Sequence, residues 1–221
     1  MPPLEVLYED NHLIAIAKPA DLPTMGVSDG EESAVTQVKA YLKEKYDKPG
    51  NVFLGVVSRL DRMVTGVLIF ARTSKAAKRL SEQFRARSTE KTYRAIVSGT
   101  GVVETGTLRD WIRKDEKNHR MVASRNQVGD GQKAELEIDS VEEAQRGYLL
   151  KIKLITGRKH QIRVQLASRR LPILGDRKYG SSDPFPEGIA LHAAQLVLQH
   201  PVTRQNLTIS SPIPSSWRKF L

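Results

Sequence analysis

The chain has 221 residues, enough to bury a sizeable core, and its 39% hydrophobic and 27% charged content is ordinary for a globular protein. It has no cysteine, which removes disulfides, thiolate catalysis and Cys-ligated zinc or iron–sulfur sites, and no segment approaches the ~18 apolar residues of a membrane helix. Lys and Arg outnumber Asp and Glu by 35 to 25, for a net charge of +10, so polyanionic partners are favoured, nucleic acid first and an anionic membrane surface second. The start, Met1-Pro2-Pro3-Leu4-Glu5, lacks the basic-then-apolar pattern of a secretory signal. With the absence of cysteine, this makes a cytoplasmic location the expectation.

In chain order, Val6-Leu7-Tyr8, the turn Glu9-Asp10-Asn11 and Leu13–Ala17 read as a hairpin ending at Lys18-Pro19. Residues 26–33 are rich in Gly, Ser and Asp and form a loop. Ser33 caps a helix over Ala34–Lys45 with Val35, Val38, Tyr41 and Leu42 on one face. A loop at Asp47–Asn51 precedes a strand over Phe53–Val57, and Gly66 opens a second apolar strand, Val67–Ala71. Ser74 is expected to cap the next helix, with Ala77, Leu80 and Phe84 at helical spacing. Strands follow around Tyr93–Val97, Thr107–Ile112, Arg120–Ala123, Glu135–Val141 and Leu149–Ile155, then a short helix over Lys159–Arg169 and closing strands at Leu191–Gln199 and Leu207–Ile209. Runs of strands with few helices point to an α+β fold on a mixed, mainly antiparallel sheet. No repeat and no long polar linker is present, so residues 1–221 read as a single domain.

Three stretches carry chemistry. Ser58-Arg59-Leu60-Asp61-Arg62-Met63-Val64-Thr65-Gly66 lies between two apolar strands, so its polar residues sit on a loop held by rigid elements. Arginines on both sides of Asp61 stabilise its carboxylate, and such a group serves as a nucleophile or stabilises an oxocarbenium ion. The same run would equally make a surface Arg–Asp–Arg network. Thr156-Gly157-Arg158-Lys159-His160-Gln161-Ile162-Arg163 follows a strand and opens a helix, whose N-terminal dipole adds to the charge of Arg158, Lys159 and Arg163. That patch suits a phosphate or a bidentate pair with a carboxylate such as Asp61, or is a solvated basic face. His160 has no second ligand at helical spacing to make a metal site. Glu90-Lys91-Thr92-Tyr93-Arg94 starts a strand with a Tyr between basic residues, placed either in the core or rim or to stack on a nucleobase.

Together these runs resemble the RluA-type pseudouridine synthases of the RsuA/RluA family. The resemblance rests on Ser58–Arg62, Lys91–Tyr93 and Gly157–Arg163 in the family's order. It extends to Val6–Asp10, Lys18-Pro19, Gly175-Asp176, Tyr179-Gly180, Leu191-His192-Ala193 and His200-Pro201. Two departures stand beside it: Val64-Thr65-Gly66 where members often have Thr-Ser-Gly, and Gln165 where many have His. Both touch the neighbourhood of Asp61 and bear on substrate choice.

The resemblance implies a pseudouridine synthase fold with a central basic cleft and no N-terminal S4-type module. It implies isomerisation of uridine in ribosomal or transfer RNA: the C1′–N1 bond breaks, the uracil turns, and C5 bonds to C1′, with no metal or cofactor. Asp61 would act at the sugar, by attack or by assisting elimination. Arg163 would position Asp61 through a bidentate pair, and Tyr93 would stack on the base and take the C5 proton. Arg59, Arg62, Arg158, Lys159, His160 and Gln161 would face the RNA, and the chain would act as a monomer away from membranes. Two rival readings are a catalytically inactive RNA-binding member of the family and a nucleoside glycosidase, which would need a second carboxylate across the bond.

Overall fold

A turn at Asp10 sets the first hairpin. Its carboxylate Oδ1 accepts the backbone N–H groups of His12 and Leu13, each at 2.7 Å, so the side chain closes the turn that the strands cannot. Strands β1 (Val6–Glu9) and β2 (Leu13–Lys18) pair antiparallel around it. The computed structural model describes residues 4–26 and 31–221. The expected loop at 26–33 therefore falls partly, and the reading of the first three residues wholly, outside the described residues.

The chain falls into two compact units, one of residues up to Thr89 with Ala193–Pro212, the other of Glu90–His192 with Ile213–Leu221. Two of the three crossings carry no linker, because Glu90 begins a strand and His192–Ala193 lies inside one. The third, Pro212–Ile213, lies in a short irregular stretch after β-strand residues 206–210.

In the first unit β2 pairs with β4 (Thr65–Ala71), which also carries the two-residue β3 (Gly55–Val56). The strand expected over Phe53–Val57 shortens to those two residues, and Phe53 stays half exposed. Every residue of β4 is buried, which explains its unbroken apolar run. Val67, Ile69 and Ala71 face a cluster with Ala76 and Leu80 of helix α2 (Ser74–Ala86). Leu68 and Phe70 face another, with Ala34, Val38 and Leu42 of helix α1 (Ala34–Lys45). Period-two alternation thus splits one strand between two helices, and each large side chain removed from water contributes about 1.5–3 kcal/mol.

Ser33 caps α1 as expected: its hydroxyl accepts the Thr36 N–H at 3.2 Å, and Thr36 Oγ1 accepts the Ser33 N–H at 2.8 Å. The cap of α2 is Thr73 rather than Ser74. Thr73 has extended backbone and accepts the Ala76 N–H, while Ser74 is already helical. The unit closes with β10 (Leu191–Gln199), which enters it at Ala193, paired antiparallel with β11 (Asn206–Ser210). Gly66 opens β4 at φ +111°, and a Cβ there would overlap the Ala193 carbonyl; this close approach needs glycine.

The second unit is built on antiparallel strands in the order β5-β9-β8-β6-β7. They are β5 (Glu90–Val97), β6 (Gly106–Asp115), β7 (Arg120–Ser124), β8 (Gln132–Ala144) and β9 (Gly147–Leu154). Helix α3 (Gln161–Ala167) packs through Val164 and Ala167 against Ile112, Ala134, Met121 and Ala123. It is shorter than the expected Lys159–Arg169, because His160 at φ 54° and Arg170 at φ 61° are left-handed and stop helical propagation at both ends. Short 3-10 turns at Arg177–Tyr179 and Ser215–Trp217 were not marked by the hydrophobic pattern. Among the described residues, three α-helices and antiparallel strands make the expected α+β fold. Among the described residues no helix is long and apolar enough to cross a membrane.

Candidate active site

Asp61 lies in the first unit, on the connection from β3 to β4. The backbone around it is tied at three successive residues. Thr24 Oγ1 accepts the Leu60 N–H at 3.1 Å and donates to the Leu60 carbonyl at 2.9 Å. The Asp61 carbonyl accepts the Val64 N–H at 3.0 Å, closing a turn. The Arg62 carbonyl accepts from Lys18 Nζ at 3.0 Å. The Asp61 side chain is half-buried, a reactive type of group on a loop that cannot shift without breaking these bonds. Arg59 is exposed beside it. Arg62 is exposed too, its Nε donating to the Asp21 carbonyl at 3.1 Å. The departures from the family pattern at Val64 and Thr65 are buried, 2% and 5% exposed, so they act on packing under the loop.

Tyr93 and Arg163 belong to the second unit. On β5 the alternation sets Lys91 and Tyr93 on one face and Thr92 and Arg94 on the other. Of the two basic neighbours, Lys91 therefore shares a face with Tyr93, while Arg94 pairs with Glu142. Arg163 is buried on α3. Its Nε and Nη2 donate to the two oxygens of Asp176, at 2.7 and 2.8 Å, and its guanidinium lies over the Tyr179 ring at 5.0 Å. Asp176 thus takes the Nε–Nη2 edge of Arg163. The Tyr179 hydroxyl accepts the Met121 N–H at 3.1 Å and lies 2.8 Å from His160 Nδ1.

The other residues of that run divide. Lys159 is exposed, and Arg158 is half-buried with its Nε donating to the Lys133 carbonyl. Gln161, expected to face RNA, is 3% exposed. Its amide is spent inside: it accepts from Thr156 Oγ1 and the Arg158 N–H and donates to the Glu135 carbonyl. It shapes the turn instead of presenting a polar group. Gln165, the other departure, is fully buried and donates to Asp110, which Arg169 also grips.

A family model described as RNA pseudouridylate synthase matches residues 12–168. The chain belongs to the RNA pseudouridylate synthase family. Ribosomal large subunit pseudouridine synthase D of Xanthomonas campestris is 35% identical over 99% of this chain and 69% of its own length. The protein of the same name from Pseudomonas aeruginosa is 33% identical over 97% and 69%. Uncharacterized RNA pseudouridine synthase YhcT of Bacillus subtilis is 31% identical over 98% and 71%. Human RNA Pseudouridylate Synthase Domain Containing 4 superposes with a TM-score of 0.75 at 25% identity, covering 97% of this chain and 92% of that one.

As an RNA pseudouridylate synthase, the chain has supports for its site that the motif reading did not assign: Lys18 and Thr24 under the Asp61 loop, Asp176 and Tyr179 under Arg163. The signal for Lys18, Asp176 and Tyr179 was present in the runs Lys18-Pro19, Gly175-Asp176 and Tyr179-Gly180, but no role follows from sequence alone, and nothing in the sequence marked Thr24. Lys18 is 1% exposed, and its three N–H bonds meet the carbonyls of Pro19, Leu22 and Arg62 at 2.6, 2.8 and 3.0 Å.

Burial pushes Lys18 down from 10.5 to about 7, against the opposing pull of the Asp61 and Asp21 charges. Between about 7 and 10.5 the unfolded chain holds a proton on Lys18 that the folded protein has released. Stability therefore rises with pH through that window. Lys18→Met is expected to cost at least about 2 kcal/mol, because buried carbonyls lose their donor. The melting-temperature gap between wild type and variant should widen from pH 7 to pH 10. A gap that stays constant or narrows would refute this account of Lys18.

Proposed function

We propose that this enzyme isomerises uridine to pseudouridine in ribosomal RNA of the large subunit. Asp61 acts at the sugar C1′, Tyr93 stacks on the base and takes the C5 proton, and Arg163 acts on Asp61 from a platform of Asp176 and Tyr179. In this reading residues 1–221 work as one catalytic domain, as a monomer in the cytoplasm, without metal or cofactor. Arg59, Arg62, Arg158, Lys159 and His160 meet the RNA, and Gln161 holds the turn that carries the last three. Family membership supports the reaction. The names of the Xanthomonas and Pseudomonas relatives support large-subunit ribosomal RNA over transfer RNA as the substrate.

The observation that carries the assignment of Asp61 is its tethered backbone. Thr24, Lys18 and the Val64 N–H hold three consecutive residues at the one carboxylate of the arginine-rich run. A group that must meet C1′ within a few tenths of an ångström needs such fixing, whereas a surface ion-pair network does not. The target uridine has to leave its stack, at a cost of a few kcal/mol unless it lies in a loop.

The test is incubation of the purified protein with unmodified transcripts of large-subunit ribosomal RNA and of bulk transfer RNA, followed by pseudouridine mapping. Pseudouridine at one or a few ribosomal uridines is expected. Modification of transfer RNA alone would overturn the substrate, free uracil would mark a hydrolase, and an unaltered product with RNA still bound would mark an inactive binder.

A further inference from the structure

The second unit contains a cleft of about 300 Å³ between the β6–β7 hairpin and the turn before α3. Its lining includes the apolar Ile112 and Met121 and the basic Arg113, Lys114, Arg158 and Lys159, with Asp130 the carboxylate among the lining residues. Two of these cations are already engaged: Lys114 pairs with Glu116 at 2.5 Å, and Arg158 Nε is tied to the Lys133 carbonyl at 3.0 Å. No hydrogen bond or ion pair among the described residues engages the head groups of Arg113 and Lys159. The nearby acid on the hairpin, Asp115, is held by Asn118 through both carboxylate oxygens, and the charges of Arg120 and Arg113 act on it without an ion-pair contact. Two unspent cations facing a concave wall are what a polyanion's phosphate requires, Arg supplying a planar fork and Lys a compact charge.

The cleft also has a fixed relation to the Arg163 platform. Met121 in its lining donates its N–H to the Tyr179 hydroxyl, and the Tyr179 ring lies under Arg163. Lys159 precedes His160, which is within hydrogen-bond distance of the same hydroxyl. A phosphate held in the cleft is therefore set one tyrosine away from Arg163.

We propose that this cleft is a docking site for a backbone phosphate of the substrate RNA outside the target nucleotide, gripped by Arg113 and Lys159, with the adjoining ribose against the half-buried Met121. The proposal rests on the reading of the chain as an enzyme acting on RNA and adds where it takes hold of the strand. Contacts of this kind position a nucleic acid without reading its sequence, so they govern affinity and register and leave the chemical step alone.

The test compares Arg113→Glu/Lys159→Glu with Lys39→Glu/Lys43→Glu, which makes the same change of net charge on exposed positions of α1. All three proteins are given the same unmodified ribosomal transcript. KM, kcat, the salt dependence of kcat/KM and the Kd from filter retention are measured, with thermal melts as a check on folding. The cleft pair is expected to raise KM and Kd by about tenfold or more at 0.1 M salt, with kcat unchanged. It should also make the slope against log salt shallower by about one to two, the signature of lost phosphate contacts. The α1 pair is expected to change KM by less than about twofold, since these exposed lysines line no part of the cleft and exposed charges are screened by salt.

Equal effects of the two pairs would reduce the cleft to general electrostatics and overturn the proposal. So would an unchanged Kd, or a fall in kcat at constant KM. If the wild type formed no pseudouridine on any RNA, the reading of the enzyme would fail separately, and the comparison of Kd values would still decide the cleft.

Discussion

Replacing Asp61 with asparagine is expected to reduce pseudouridine formation by about 10⁴-fold or more, the scale of losing a group that makes or breaks the covalent step. The carboxamide has nearly the same shape. It cannot attack C1′, and it cannot place a negative charge beside a developing oxocarbenium ion, so the loss is the same whichever route the sugar takes. The fold should tolerate the change. Backbone ties hold the loop, from Leu60, Asp61 and Arg62 to Thr24, the Val64 N–H and Lys18, and the substitution leaves these in place.

RNA affinity should stay within about threefold, because phosphate contacts supply most of it. The variant also has a readout away from catalysis. The Asp61 charge acts to raise Lys18, so its removal should lower the proton affinity of Lys18 further and move the pH window of the melting-temperature gap downward. The measurements are a mass-shift or tritium-release assay, a Kd, and melts across pH. Activity within tenfold of wild type would remove Asp61 from the centre of the mechanism.

The parts of this fold that can be read from sequence are those whose causes are local. The first hairpin follows from two short apolar runs around Asp10, whose side chain closes the turn. Helix α1 follows from Ser33 and the spacing of Val38 and Leu42, both buried. The unbroken run Val67–Ala71 predicts a strand, though not that α1 and α2 would cover its two faces. What escapes local reading is set by contacts distant in the chain. Asp176 stands 13 residues beyond Arg163 in a run with no periodicity, and nothing before the structure names it as the holder of that guanidinium. Gln161 looks polar and therefore exposed, but Glu135, 26 residues earlier, accepts its amide inside the protein. His160 sits in the left-handed region, where a β-branched residue would be strained, yet in sequence it reads as the first turn of a longer helix. The division into two units was invisible for a related reason: two of its three crossings coincide with strands.

The second large effect is expected at Asp176. The Arg163 and Asp176 side chains are 6% and 1% exposed, so Asp176→Ala leaves a guanidinium buried without the partner of its Nε–Nη2 edge. Breaking a buried pair from one side costs about 3–5 kcal/mol. For a chain of this size that corresponds to a fall in melting temperature of roughly 10 °C. Asp176→Asn keeps one acceptor and should cost less than half as much. A melting temperature for the alanine variant within 2 °C of wild type would show that the pair is not needed for stability.

Stability and chemistry can then be separated by removing both charges. Arg163→Met/Asp176→Leu replaces the pair with apolar side chains of similar bulk, a change that is commonly neutral or stabilising in protein interiors. Its melting temperature should recover most of what the alanine variant loses. Its activity should not recover, because Asp61 would still lack the guanidinium proposed to act on it. If the double variant regained activity along with stability, Arg163 would be a structural residue and the proposed division of labour between Asp61 and Arg163 would fall.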